Sequence, residues 1–154
     1  MDLPTALAWL VGEWEGEGRG AYPGCDDFGY REHTVFRHPK PGEPTLAFAT
    51  RTWLLDGSPS HEEAGYVRAT EAGRVELVVA HPLGVVEVHG GTMTERGVEL
   101  DSLAVACAPT ASAVTQMRRV AEQRGDDLWY RLDMAARGKP LAFHCEATFH
   151  RSRS

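Results

Sequence analysis

Turn chemistry interrupts this sequence at short, nearly even intervals. Pro39-Lys40-Pro41-Gly42, Asp56-Gly57-Ser58-Pro59, Glu71-Ala72-Gly73, Glu95-Arg96-Gly97, Gly125-Asp126 and Arg137-Gly138-Lys139 separate runs too short for ordinary helices. Those runs carry β-type patterning. They predict strands at roughly 12–20, 27–38, 45–55, 61–70, 74–80, 84–93, 98–106, 113–123, 127–136 and 140–151. Strands at a spacing of roughly 8–12 residues, joined by hairpin-length turns, indicate an up-and-down antiparallel sheet. Ten strands in one sheet close into a barrel, because closure removes the two unpaired edges. Ahead of them, Thr5 to Val11 reads as one or two helical turns with Leu7, Leu10 and Val11 as the apolar side. Gly12, Gly16 and Gly18 fall in the first strand pattern, where glycine permits close backbone approach and a sharp bend. The expectation is an all-β chain. It is a single ten-stranded antiparallel up-and-down β-barrel with a short N-terminal helical turn, one domain over residues 1–154. The interior of such a barrel need not be filled by side chains, so a small-molecule cavity is expected.

Charge narrows the partners. Acidic residues number 22 and basic ones 16, a net charge of −6, and no basic stripe offsets it. That argues against nucleic acid and anionic membrane as partners. No run approaches the roughly 20 apolar residues of a membrane span. The N-terminus carries Asp2 and no early Lys or Arg, unlike a signal peptide. Cys25, Cys107 and Cys145 are odd in number and match no zinc spacing, so reduced thiols in a cytoplasmic protein are expected. A closed barrel has no edge to pair, so the chain is expected to be a monomer or weak homodimer.

The last strand-like run alternates strictly. Leu141, Phe143, Cys145, Ala147 and Phe149 share one face; Ala142, His144, Glu146, Thr148 and His150 share the other. His144 stands near the middle of the second face. A lone strand histidine is ordinarily a half-exposed surface residue, yet neutral imidazole is also a good ligand for haem iron. If His144 faces the lumen, strict alternation turns Phe143, Cys145, Ala147 and Phe149 outward. A β-bulge near Phe143 would reset the phase; alternatively, the N-terminal turns cover that face. His33, His38, His89 and His150 are assigned to the surface or to strand ends. Glu62 and Glu63 point to opposite faces and make no acid–base pair. Trp9 and Trp14 read as barrel-closing core.

Three stretches carry a family resemblance. The first is Leu7-Ala8-Trp9-Leu10-Val11-Gly12-Glu13-Trp14-Glu15-Gly16-Glu17-Gly18, followed by Gly20-Ala21-Tyr22-Pro23. The second is His61-Glu62-Glu63-Ala64-Gly65-Tyr66-Val67-Arg68, with Gly84-Val85-Val86-Glu87-Val88 after it. The third is Met134 and, ten positions later, His144-Cys145-Glu146-Ala147-Thr148-Phe149. In order and spacing, from about Leu7 to Arg151, the set resembles the nitrobindins, a family of ten-stranded haem-binding β-barrels. The resemblance implies ferric haem b in a partly open pocket at one end of the barrel, with His144 as its axial ligand. It implies Ser60, His61, His81 and Met134 in or beside that pocket, and Tyr22 bordering its opening. The family binds nitric oxide and is credited with isomerising peroxynitrite to nitrate. By that resemblance the chain is a haem-dependent peroxynitrite isomerase whose partners are haem and small reactive nitrogen species. Two residues depart from the pattern. Gly24 follows Tyr-Pro where relatives usually carry Thr, and His81 stands where Gln is frequent. A His at 81 can hydrogen-bond a ligand or compete for the metal. The same barrel also suits a haem-free binder of an apolar or fatty ligand, or a haem carrier or sensor without catalysis. His144 with Met134 ten residues before it is the feature that favours haem.

Overall fold

The computed structural model describes residues 4–153. Asp2, on which the expectation of no leader rests, lies outside them. Ten antiparallel strands form a closed barrel. They are β1 (Gly12–Gly20), β2 (Phe28–Arg37), β3 (Thr45–Leu54), β4 (Pro59–Ala69), β5 (Arg74–His81), β6 (Val85–Met93), β7 (Gly97–Cys107), β8 (Val114–Arg124), β9 (Asp127–Ala136) and β10 (Ala142–Arg151). Each strand pairs with its sequence neighbours, and β1 closes on β10 with Trp14 opposite Arg151 and Gly20 opposite Cys145. The fold class is the expected one. Among the described residues no helix is long and apolar enough to cross a membrane.

The β1–β10 seam depends on glycine. A Cβ at Gly16 would lie 2.1 Å from the Thr148 carbonyl oxygen, so any side chain there pushes the two strands apart. One turn of α-helix, α1 (Thr5–Ala8), precedes β1. Leu7 and Leu10, just inside and just after it, are buried with Trp14, Leu128 and Phe149 and plug one end of the barrel. The indole N–H of Trp14 donates to the Leu10 carbonyl at 2.8 Å. The Arg151 guanidinium lies 4.4 Å over the Trp14 ring.

One strand runs against its hydrophobic pattern. On β6, Val86 and Val88 are 49% and 42% exposed, while Glu87 and His89 are 1% and 0% exposed. His89 is therefore not the surface residue that its sequence context suggests. Glu87 occupies a core position because His81 and Arg119 converge on it from other strands, and His89 pairs with Glu87 along β6. A buried charge is tolerated only when it is paired and hydrogen-bonded.

Candidate functional site

The end of the barrel opposite the Leu7–Leu10 plug holds a cavity of about 550 Å³. Small-molecule sites span roughly 300–1,000 Å³. Tyr22, Ser60, His61, His81, Met134 and His144 all line it. The structure thus brings together all six residues singled out from sequence, drawn from the ends of β4, β5, β9 and β10 and the turn after β1. Glu32, Thr50, Glu63 and Tyr130 line both this cavity and a smaller one of about 100 Å³ with otherwise mostly apolar walls. These four residues form a partition between the two.

His144 sits in a β-bulge. Phe143 pairs with Asp133 and Cys145 with Leu132, so His144 is the extra residue of β10. Of the two expected ways to reconcile an inward His144 with the apolar residues after it, the phase reset and a cover by the N-terminal turns, the chain shows the phase reset. Phe143 stays outside, with the guanidinium groups of Arg19 and Arg131 over its ring at 4.7 and 5.2 Å. His144 and Cys145 both line the cavity, and Ala147 and Phe149 remain in the core. Nδ1 of His144 donates to the Ala21 carbonyl at 2.7 Å, and the Ala21 N–H donates back to the His144 carbonyl at 2.7 Å. That pair fixes the ring and its tautomer, leaving the lone pair on Nε2. Nε2 makes no hydrogen bond among the described residues. Burial lowers the His144 pKa, which keeps the imidazole neutral at pH 7. Sequence could not name this acceptor, because a main-chain carbonyl leaves no residue-type signal. The bulge also places Cys145 beside His144, but burial pushes that thiol up to about 12, so no thiolate is available as a ligand.

Tyr22 approaches the His144 ring edge-on at 6.0 Å between centroids. Ser60 is exposed at the rim, and Met134 is half-buried opposite Met117 and Ala142. Gly24 takes φ +85° in the turn after β1, a conformation that glycine adopts without strain.

The wall carrying β4 and β5 is polar. His61 Nε2 lies 2.9 Å from His81 Nδ1, and His81 Nε2 lies 2.5 Å from a Glu87 carboxylate oxygen. Since the carboxylate accepts, His81 Nε2 is the protonated nitrogen. In the neutral ring His81 Nδ1 then carries the lone pair and can accept from His61 Nε2–H. The His61 main chain is pinned by Thr52, whose hydroxyl accepts from the His61 N–H at 2.8 Å and donates to its carbonyl at 3.1 Å. Thr52 occupies a register shift between Arg51 and Trp53. Behind the pair, Glu87 also accepts from His89 Nε2 at 3.0 Å and from Arg119 Nη2 at 2.7 Å. Arg119 grips Glu63 with both terminal nitrogens, at 2.9 and 3.0 Å. Burial is the largest single influence and opposes charge on Glu63 and Glu87, yet the Arg119 guanidinium together with His81, and at Glu87 also the hydrogen bond from His89, outweighs it and holds both carboxyls below their usual range.

Sequence reasoning missed Glu63, Glu87, His89 and Arg119 as an ensemble. A weak signal existed, since Glu63 shares the face of His61 and Glu87 the face of Val85. Which acid meets Arg119 is a matter of barrel closure, not of strand pattern. Its neighbour Arg118 points outward to Glu99 and Asp101. As expected, Glu62 and Glu63 diverge: Glu62 meets Arg51 outside at 3.2 Å.

No cation among the described residues forms an ion pair with Glu32, and the nearby Arg119 only partly offsets its burial. Glu32 accepts from the Thr34 hydroxyl at 3.2 Å, and burial, reinforced by Glu63, pushes its pKa up to about 8. The native state therefore holds a proton that the unfolded chain releases near 4.5. Stability from this proton is fully present below about pH 4.5 and is lost as pH rises through 8, at about 1.4 kcal/mol per unit. In Glu32→Gln that slope should vanish. Urea unfolding is expected to favour the variant increasingly from about pH 5 to about pH 8. Parallel curves would mean that Glu32 is ionised in the native barrel.

The family model described as THAP4-like, heme-binding beta-barrel domain matches residues 4–151. The chain is 43% identical to Peroxynitrite isomerase 2 of Mycobacterium ulcerans (strain Agy99), over 95% of this chain and 92% of that protein. It is 42% identical to Peroxynitrite isomerase 1 of Mycobacterium tuberculosis (strain ATCC 25618 / H37Rv), over 96% and 94% of the two chains. The crystal structure of Rv2717c from M. tuberculosis superposes with a TM-score of 0.88 at 41% identity, covering 99% of this chain and 100% of that one.

Proposed function

The chain belongs to the family of THAP4-like, heme-binding beta-barrel domains, the nitrobindins. On that premise we propose that its cavity holds ferric haem b with His144 as the axial ligand, and that it acts as a peroxynitrite isomerase. The observation that carries this reading is the His144 imidazole, neutral, lining the cavity, with Nδ1 tied to Ala21 and the lone pair left on Nε2. When bound, the ferric iron supplies a Lewis acid that polarises an oxygen of a small oxoanion. Isomerising peroxynitrite to nitrate breaks one O–O bond and forms one N–O bond. Atoms and electrons balance without a reductant, so none has to be recruited.

The chain's own residues orient and shield. Leu83, Val85, Met117, Leu132 and Met134 offer apolar walls suited to a porphyrin and exclude water from it. His61, backed by His81 and Glu87, is a hydrogen-bonding group on the polar wall. We read the whole chain, residues 1–154, as one such unit. Its three free cysteines suit a reducing compartment such as the cytoplasm. A haem-free role with a fatty acid is less well served. Arg119, the buried cation, is already held by Glu63 and Glu87 and does not line the larger cavity.

Hemin titration tests the reading. One equivalent should bind saturably with a Soret band; no saturable binding would overturn it. In His61→Ala the hemin stoichiometry and ferric spectrum should persist. The nitric oxide affinity or peroxynitrite decay rate should change by about 2- to 10-fold, the worth of one hydrogen bond. A lost Soret band in that variant would instead make His61 a ligand of the iron.

A further inference from the structure

We propose that His61 Nε2, His81 Nδ1 and Glu63 Oε2 form a binding site for a divalent transition metal of the zinc or ferrous class, on the β4–β5 wall and separate from His144. The three donor atoms lie within 4.8 Å of one another. The two nitrogens are 2.9 Å apart, and the carboxylate oxygen is 3.7 Å from His81 and 4.0 Å from His61. Bonds of about 2.0–2.1 Å place donors at neighbouring coordination positions roughly 2.8–3.4 Å apart, from octahedral to tetrahedral angles. The nitrogens already have that separation, and the carboxylate has to approach by less than about 1 Å.

Two imidazoles and one carboxylate are the donor set that zinc and non-haem ferrous iron accept. His61 and Glu63 are two apart on β4 and share its inner face; His81 ends the neighbouring β5. An independent observation points the same way. Glu87 accepts a hydrogen bond from His81 Nε2, so in the neutral ring Nδ1 is the lone-pair nitrogen facing the other two donors. A carboxylate behind a ligating histidine is the usual outer shell of such sites. Thr52 fixes the backbone of His61, and Arg119 fixes the Glu63 carboxylate while leaving each oxygen a second lone pair.

Charge permits a cation despite Arg119. Glu63 and Glu87 contribute −2 and Arg119 +1, so the cluster carries −1 before any metal arrives. A divalent ion brings it to +1. The Glu63 and His81 side chains are 12% and 7% exposed and His61 is 35% exposed, so the site is walled behind and open towards the cavity. Entry of the metal displaces the proton that now bridges the two imidazoles. The remaining coordination positions face the cavity and take water or a small anion.

The test uses the full chain, stripped with a chelator and titrated with Zn²⁺ by calorimetry and with Co²⁺ by visible absorption. One ion per chain is expected. His61→Ala and His81→Gln should each weaken binding beyond the roughly 10- to 100-fold that outer-shell changes cost. His144→Ala should leave it unchanged. Both wall variants exchange a neutral side chain for another, and circular dichroism checks that they fold. Equal affinity in all variants would mean adventitious binding at surface histidines such as His33 or His150 and would overturn the proposal. So would loss of metal binding in His144→Ala. Hemin titration of the same variants keeps the two readings apart. His61→Ala and His81→Gln should retain the Soret band that His144→Ala loses or alters.

Discussion

His144→Ala should abolish axially ligated hemin binding and leave the barrel folded. The substitution removes the imidazole proposed to ligate the iron. Hemin keeps only its apolar contacts, at about 25 cal/mol per Å² buried. The affinity loss should exceed the 10- to 100-fold typical of outer-shell changes, and the ferric and nitrosyl spectra should lose their histidine-ligated form. Folding is expected to suffer little. The hydrogen bond from Nδ1 to the Ala21 carbonyl is lost, at about 1 kcal/mol. The return bond from the Ala21 N–H to the His144 carbonyl is main-chain and survives. Identical ferric and nitrosyl spectra for variant and wild type would sink the assignment.

Arg119→Met should produce the largest loss of stability. The methionine fills much of the same volume but leaves Glu63 and Glu87 buried without their cation. Removing one partner of a buried ion pair costs about 3–5 kcal/mol, a large part of the stability of an ordinary domain. The pH dependence identifies the cause. In the wild type both carboxyls titrate below their usual 4.5, so their contribution is present above that value and is lost as pH falls through the lowered one. Without Arg119, burial raises both. The native state then binds protons that the unfolded state has released, and stability should rise as pH falls from neutral towards about 4.5. Opposite slopes in urea unfolding are the expected result. Parallel slopes would show that Arg119 does not hold these carboxylates ionised.

The barrel was legible because its information is local. Pro39-Lys40-Pro41-Gly42 and Asp56-Gly57-Ser58-Pro59 stop strands wherever they occur, and period-two runs between such stops leave few topologies. The strand ends moved by only a few residues, as in β10, which starts at Ala142 beyond Pro140. The cavity-lining residues were legible only through resemblance, since no spacing rule joins Tyr22 to His144. Strict alternation alone misleads twice. It sets His144 opposite Cys145, whereas the bulge turns both inward. It also favours Val86 and Val88 as core, whereas Glu87 and His89 are buried. In both cases the decisive partner is far away in sequence: Ala21, just after β1, for His144, and Arg119 on β8 for Glu87.

The partition of Glu32, Thr50, Glu63 and Tyr130 has a kinetic consequence. Together with the Leu7–Leu10 plug, it closes the inner end of the cavity among the described residues. Among the described residues, the salt-bridged Glu63 stands at its floor, across the barrel axis. A molecule freed inside must depart along the path by which the next arrives. Escape and arrival compete for one doorway, and a small ligand released at the floor meets its binding partner again many times before it finds the exit. Residence time in such a vessel is set as much by the width of the mouth, at Tyr22, Ser60 and the Thr110–Ser112 turn, as by the strength of any bond within.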